Sequence, residues 1–168
     1  MTNVTAFQHG RQIASGPRDE VARVLAEVLE AQDGTILVFD DCTGRVTDLD
    51  YRNVAPRAAG RPKLGVQARE VTLLPKHWDW LANQSGGASA TLRRLIDQER
   101  AKGRTDRECR DAAYRFMQAA CGDMPNYEEA LRALYSARTD EFQTLTSAWP
   151  GDMVRFMDRL LGEQVLVA

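Results

Sequence analysis

Apolar residues in the first fifty positions follow two different periods. Short β-prone runs at Thr5 to Gln8 and Arg11 to Ser15 flank His9-Gly10, a hairpin-turn pair. Val21, Val24, Leu25, Val28 and Leu29 then recur at the i, i+3, i+4, i+7 spacing of one helix face. Pro17 stands at the helix start, Asp19 and Glu20 in the first turn, and Gly34 closes it. Thr35 to Phe39 is a continuous run of the buried-strand type, and Asp41-Cys42-Thr43-Gly44 is turn chemistry leading into a polar alternating strand, Arg45 to Leu49. The pattern predicts a ββαββ unit over residues 1–51, a four-stranded sheet with a helix on one face.

Periodicity disappears over residues 52–68, where Pro56, Gly60, Pro62 and Gly65 stand among Arg57, Arg61 and Lys63; this reads as a basic linker. Between 69 and 104 the pattern becomes strand, helix, turn, helix. Val71 to Leu74 is β-prone, and Pro75 opens a helix in which Trp78 and Leu81 share a face. Gly86-Gly87 ends that helix, and Ser89 caps the next, whose apolar stripe is Leu92, Leu95 and Ile96. The spacing places Trp78 in the core with Leu81 and leaves Trp80 on another side, as a partner contact. Two short helices and a lone strand bury too little to stand alone, so they require the N-terminal sheet or a second copy of the chain.

Residues 105–168 are helical in pattern. Thr105-Asp106-Arg107-Glu108 is a capping box ahead of Ala112, Ala113, Phe116, Met117 and Ala120. Asn126 with Glu129 is a second cap. Thr139 opens a helix carrying Phe142, Leu145 and Trp149, and Pro150-Gly151 separates it from Met153 to Leu161. The predicted class is α+β: an N-terminal ββαββ unit, a strand-helix-helix segment and a C-terminal helical bundle.

Composition adds one decisive feature. The 168 residues, 43% hydrophobic and 27% charged, suit a folded chain, and no apolar run is long enough for a membrane span or a signal segment. A cytoplasmic location without membrane contact is expected. The net charge of −2 conceals a polarity: residues 1–51 carry −5, 52–104 carry +7 and 105–168 carry −4. A local excess of that size attracts phosphate within a Debye length of about 8 Å. Cys42, Cys109 and Cys121 are odd in number and form no C-x-x-C pair, which suggests reduced thiols rather than disulfides or zinc.

Catalytic chemistry finds little support. Ile36 to Asp41 looks like the strand-plus-acid that holds magnesium in P-loop hydrolases, but Gly60 to Gly65 lacks the Gly-Lys-Ser/Thr ending that cradles phosphate. The simpler reading makes Asp40 and Asp41 the start of a hairpin. His9 and His77 are the two histidines, and neither is spaced to activate a cysteine or serine. A non-enzymatic chain without cofactor, metal or catalytic residue is expected.

Residues 69–102 resemble the ribbon-helix-helix family of bacterial DNA-binding dimers. The matching parts are the β run ending at Pro75, the helix Lys76 to Gln84, the turn Gly87-Ala88-Ser89 and the helix with Leu92, Leu95 and Ile96. The resemblance implies that each chain gives one strand to an intermolecular ribbon that enters the major groove. Here the first helix is about one turn short, and the strand offers the groove either Glu70 and Thr72, or Arg69, Val71 and Leu73. Gly60-Arg61-Pro62-Lys63 resembles an AT-hook core, a minor-groove peptide, with Ala59 where the usual hook has Arg.

A longer phrase, from Gly60 through Pro75-Lys76-His77-Trp78-Asp79-Trp80-Leu81 to Gly86-Gly87-Ala88-Ser89 and Leu95, is similar to the signature of an uncharacterised bacterial family. So are Phe39-Asp40-Asp41 with Thr43-Gly44, Ala113 to Met117, and Ala148-Trp149-Pro150. That likeness implies no activity. The expectation is a homodimeric DNA-binding protein of the transcriptional-regulator type, with Arg57, Arg61, Lys63, Arg69, Thr72 and Lys76 near duplex DNA and Leu73 and Trp80 at a partner interface. The alternative is a protein-interaction or antitoxin-like adaptor without DNA binding.

Overall fold

In a computed structural model of the chain, the described residues are 3–29, 35–50 and 69–162. Contacts divide the chain into two units, residues 1–55 with 105–168, and residues 56–104. The second unit holds helices α2 (Pro75–Ala82) and α3 (Gly87–Ala101), which are taken up below.

The first unit is built on a three-stranded antiparallel sheet. Strands β1 (Asn3–Gln8), β2 (Arg11–Pro17) and β3 (Ile36–Asp40) lie in the order β2-β1-β3, so the N-terminal strand is central. His9 and Gly10, with φ of 49° and 75°, make the β1–β2 turn at the predicted place. Alternation along β1 then sorts its side chains between two layers. Val4 and Ala6 face helix α1 (Arg18–Leu29), packing with Val21, Leu25 and Val38. Phe7, with Phe39 from β3, faces the C-terminal helices. Every residue from Val4 to Gln8 is buried because β1 is covered on both faces.

Two boundaries differ from the sequence reading. Pro17 ends β2 rather than opening the helix, which starts at Arg18. The fourth strand expected over Arg45 to Leu49 shrinks to one bridge, Phe39 with Val46, supported by Thr47 N–H donating to the Val38 carbonyl at 2.8 Å. Arg18 holds the next residues: its guanidinium donates to the Thr47 hydroxyl at 3.0 Å and to the Asp48 carbonyl at 2.8 Å, the second being a backbone acceptor that a ladder would use.

Among its described residues this unit also has helices α4 (Asp106–Ala120), α5 (Tyr127–Tyr135), α6 (Thr139–Thr146) and α7 (Gly151–Leu161). The helical unit expected over 105–168 shares its core with the N-terminal sheet. The Thr105 capping box forms as predicted, with the Glu108 N–H donating to the Thr105 hydroxyl and the Thr105 N–H donating to the Glu108 carboxylate. Asn126 instead sits at φ 59° and makes no side-chain cap. Trp149 falls after α6, where its indole N–H donates to the Pro125 carbonyl at 2.8 Å and ties the two ends of the α5–α6 pair.

At the centre, Phe7, Phe39, Phe116 and Phe156 contact one another in all six pairings, with ring centroids 4.8 to 6.1 Å apart. The edge-to-face and tilted arrangements suit the ring quadrupoles. The acidic turn after β3 serves this packing. Asp40 accepts from the Cys42 and Thr43 N–H groups at 3.0 and 2.8 Å and so closes the turn. Asp41 accepts from the Thr5 hydroxyl at 2.7 Å, which partly offsets the upward pull of burial on its carboxyl pKa. Gly44, at φ +65°, then lies flat on α4; a Cβ there would stand 2.0 Å from the Ala112 carbonyl oxygen.

Gly44→Ala should therefore destabilise the protein by about 3 kcal/mol, from lost packing and a strained φ together. Urea unfolding measures this, and a change below about 0.5 kcal/mol would contradict the close approach. Thiol chemistry provides a second check. Cys42 is exposed, Cys109 and Cys121 are buried, and burial pushes the Cys121 thiol up to about 12. A disulfide reagent near neutral pH should titrate one thiol quickly in the native protein and all three in denaturant.

Candidate functional site

Residues 69–104 form a helical hairpin with almost no interior of its own. Residues Arg69 to Leu74 have no regular secondary structure and no ladder partner among the described residues, so the strand expected at Val71 to Leu74 is not formed within the chain. Pro75 occupies the first turn of α2, where its missing N–H costs nothing. Gly86 and Gly87 carry consecutive positive φ values of 85° and 75°, a reversal that side-chain-bearing residues resist. That reversal lets α3 start at Gly87, two residues before the expected Ser89 cap.

Burial in this hairpin is confined, among its described residues, to Leu81 at 2% and Thr91 at 1% exposure. The expected core position of Trp78 is corrected: it is 44% exposed, beside Trp80 at 50%. An eight-residue helix makes barely two turns, too few for spacing to separate an inner face from an outer one. The stripe expected on α3 is also largely uncovered, with Leu92 half-buried, Leu95 at 41% and Ile96 at 55% exposure. Val71 and Leu74 are exposed as well. Between the helices runs an apolar groove of about 250 Å³, lined by Leu73, His77, Trp80, Leu81, Leu92 and Leu95.

The residues singled out from sequence divide three ways. Leu73 and Trp80 come together on this groove. Arg69, Thr72 and Lys76 are all exposed on the segment leading into α2 and on its first turn. Arg57, Arg61 and Lys63, with the AT-hook-like phrase, lie outside the described residues. Leu92 and Leu95 were legible as a helix stripe but not as a surface; the usable signal was the lack of a second apolar layer anywhere between 69 and 104 to cover them.

Charge separates along the same division as the contacts. The unit of residues 1–55 and 105–168 carries twelve basic and twenty acidic residues, a net −8, whereas 56–104 carries ten basic and four acidic, a net +6. Among the described residues, no group of three potential metal ligands gathers, and no helix is long and apolar enough to cross a membrane.

The family model of an uncharacterized protein conserved in bacteria, DUF2239, matches residues 3–56 and 53–161. The chain belongs to the DUF2239 family. No curated protein and no solved structure matches it significantly. The two matched stretches of DUF2239 meet inside the segment that leads from β3 to α2, and together they span both contact units.

The exposure of the paired tryptophans is directly measurable in this DUF2239 chain. Acrylamide should quench the emission of a Trp149→Phe variant efficiently. A variant with Trp78→Phe and Trp80→Phe, left with the 4%-exposed Trp149, should be blue-shifted and largely protected. Similar quenching of both would contradict the open hairpin.

Proposed function

We propose that the protein binds duplex DNA through the basic 56–104 unit, as a non-enzymatic regulator of the transcription-factor type. The observation that carries this reading is the segregation of charge: a net +6 on 56–104 against −8 on the rest of the chain. A protein with a net charge of −2 would be repelled from a polyanion if its charges were mixed, so binding requires the basic residues to be collected on one unit. Arg69 and Lys76 are exposed and flank the exposed Thr72, and the segment before them contributes Arg57, Arg61 and Lys63. Guanidinium and ammonium groups so placed can neutralise backbone phosphates, which position a protein on DNA without reading its sequence. Thr72 adds a hydroxyl able to donate to a phosphate or a base edge.

A second reading, an adaptor for another protein, is favoured by the exposed apolar residues around the groove. Binding by fluorescence anisotropy across a salt series discriminates the two. The DNA reading expects an affinity that falls linearly in log–log form with salt. The slope should become shallower by about one unit for each of Arg69→Ala and Lys76→Ala. An absence of binding at low salt, or slopes unchanged in both variants, would leave the adaptor as the working reading.

A further inference from the structure

We infer that α3 enters the major groove of duplex DNA and reads base edges through Arg94, Asp97 and Gln98, with Arg93 and Arg100 on the phosphates beside it. This rests on the DNA-binding reading and adds to it the source of sequence preference. The contacts assigned above to Arg69 and Lys76 are phosphate contacts, which position a protein without reading bases. A major groove about 12 Å wide admits an α-helix with its side chains aimed at the base pairs.

Spacing gives α3 two opposed faces. Leu92 and Leu95 line the groove against α2, and Thr91 beside them is buried. Ala90, Arg94, Asp97, Gln98 and Ala101 recur at i, i+4, i+7, i+8 and i+11, which gathers them within about 100° of the helix circumference, about 140° around from the two leucines. These five and Arg93 line one open hollow on the helix surface, and all six are exposed. Arg100, seven residues after Arg93, is exposed on the same flank. The connection suits this use: residues 83–86 join α2 to α3, with Gly86 at φ 85°. Helix pairs joined by a short glycine-containing turn are a common way of presenting the second helix to a groove while the first braces it.

The side chains on this face are not engaged by the protein's own structure. Elsewhere, helical pairs with the base three or four residues ahead of the acid close into ion pairs, as Arg107 does with Asp111 and Arg138 with Glu141. Asp97 has Arg93 four residues before it and Arg94 three before it, yet it pairs with neither. Arg93 instead donates its Nε–H to the Ser89 carbonyl at 3.1 Å. Among the described residues, the side chains of Arg94, Asp97 and Gln98 have no partner. Their chemistry matches three base edges: a guanidinium donates to guanine O6 and N7, an amide pairs with adenine N6 and N7, and a carboxylate accepts from the cytosine amino group. The carboxylate also repels phosphate, so Asp97 serves discrimination rather than affinity. Ala90 and Ala101, near the two ends of the face, let the helix approach the groove floor closely.

Sequence preference provides the test. Selection from a pool of random short duplexes by the full chain should enrich a common sequence, and anisotropy titrations then compare the selected duplex with a scrambled one. Arg94→Lys keeps the charge but loses the bidentate guanidinium, and Gln98→Ala leaves the charge unchanged. Each should weaken binding of the selected duplex about tenfold and leave the scrambled duplex within about twofold. Both positions are exposed and both replacements are good helix formers, so helix content by circular dichroism should not change.

Duplex binding without any enriched sequence would overturn the role of α3 and leave the DNA reading standing. So would a preference that survives both substitutions. A preference lost in Thr72→Ala but kept in the two α3 variants would overturn it too, and would move base reading to residues 69–74. Failure of the wild-type chain to bind any duplex at low salt would remove the DNA reading and this inference together.

Discussion

Contact among four phenylalanine rings holds the larger unit together. Phe7 comes from β1, Phe39 from β3, Phe116 from α4 and Phe156 from α7, so the cluster joins residues that lie up to 149 positions apart. Each ring brings a large apolar area, and each pair adds a directional term of about 0.5–1.5 kcal/mol. The rest of the unit is arranged around it. Alternation along β1 aims Phe7 inward while turning Val4 and Ala6 to α1, and the Asp40 turn lets Gly44 approach α4 closely enough for Phe39 and Phe116 to meet. Trp149 then closes the periphery by pinning the loop after α6 to Pro125.

The two units solve the burial problem in opposite ways. The larger has a filled centre and a net charge of −8; the smaller carries +6 and, among its described residues, buries only Leu81 and Thr91. Apolar exposure and positive charge on the same few dozen residues are costly for a free domain, because the first favours association and the second opposes it among like copies.

Local features of this fold were legible in the sequence. The His9-Gly10 turn, the capping box at Thr105 and the helical spacing of Ala112, Ala113, Phe116 and Met117 each depend on neighbours within a few positions. Long-range features were not. No pattern in Arg45 to Leu49 reveals that Arg18 will claim Thr47 and Asp48, and no spacing shows that Phe7 will meet Phe156. The site follows the same division. Trp80, expected as a partner contact, is exposed, whereas Trp78 was misplaced because a two-turn helix supplies too little periodicity, and Leu92, Leu95 and Ile96 look the same in sequence whether or not anything covers them.

Residues 56–104 interrupt a unit whose other parts come from both sides of them. The sheet and the C-terminal helices are thus joined twice, once covalently by way of the hairpin and once through the aromatic cluster. A single cut within the hairpin segment yields two fragments that still share a hydrophobic centre, the condition for fragment complementation. An insertion of this kind can change length at little thermodynamic cost to the unit that carries it, since loop-closure entropy grows only slowly with loop length.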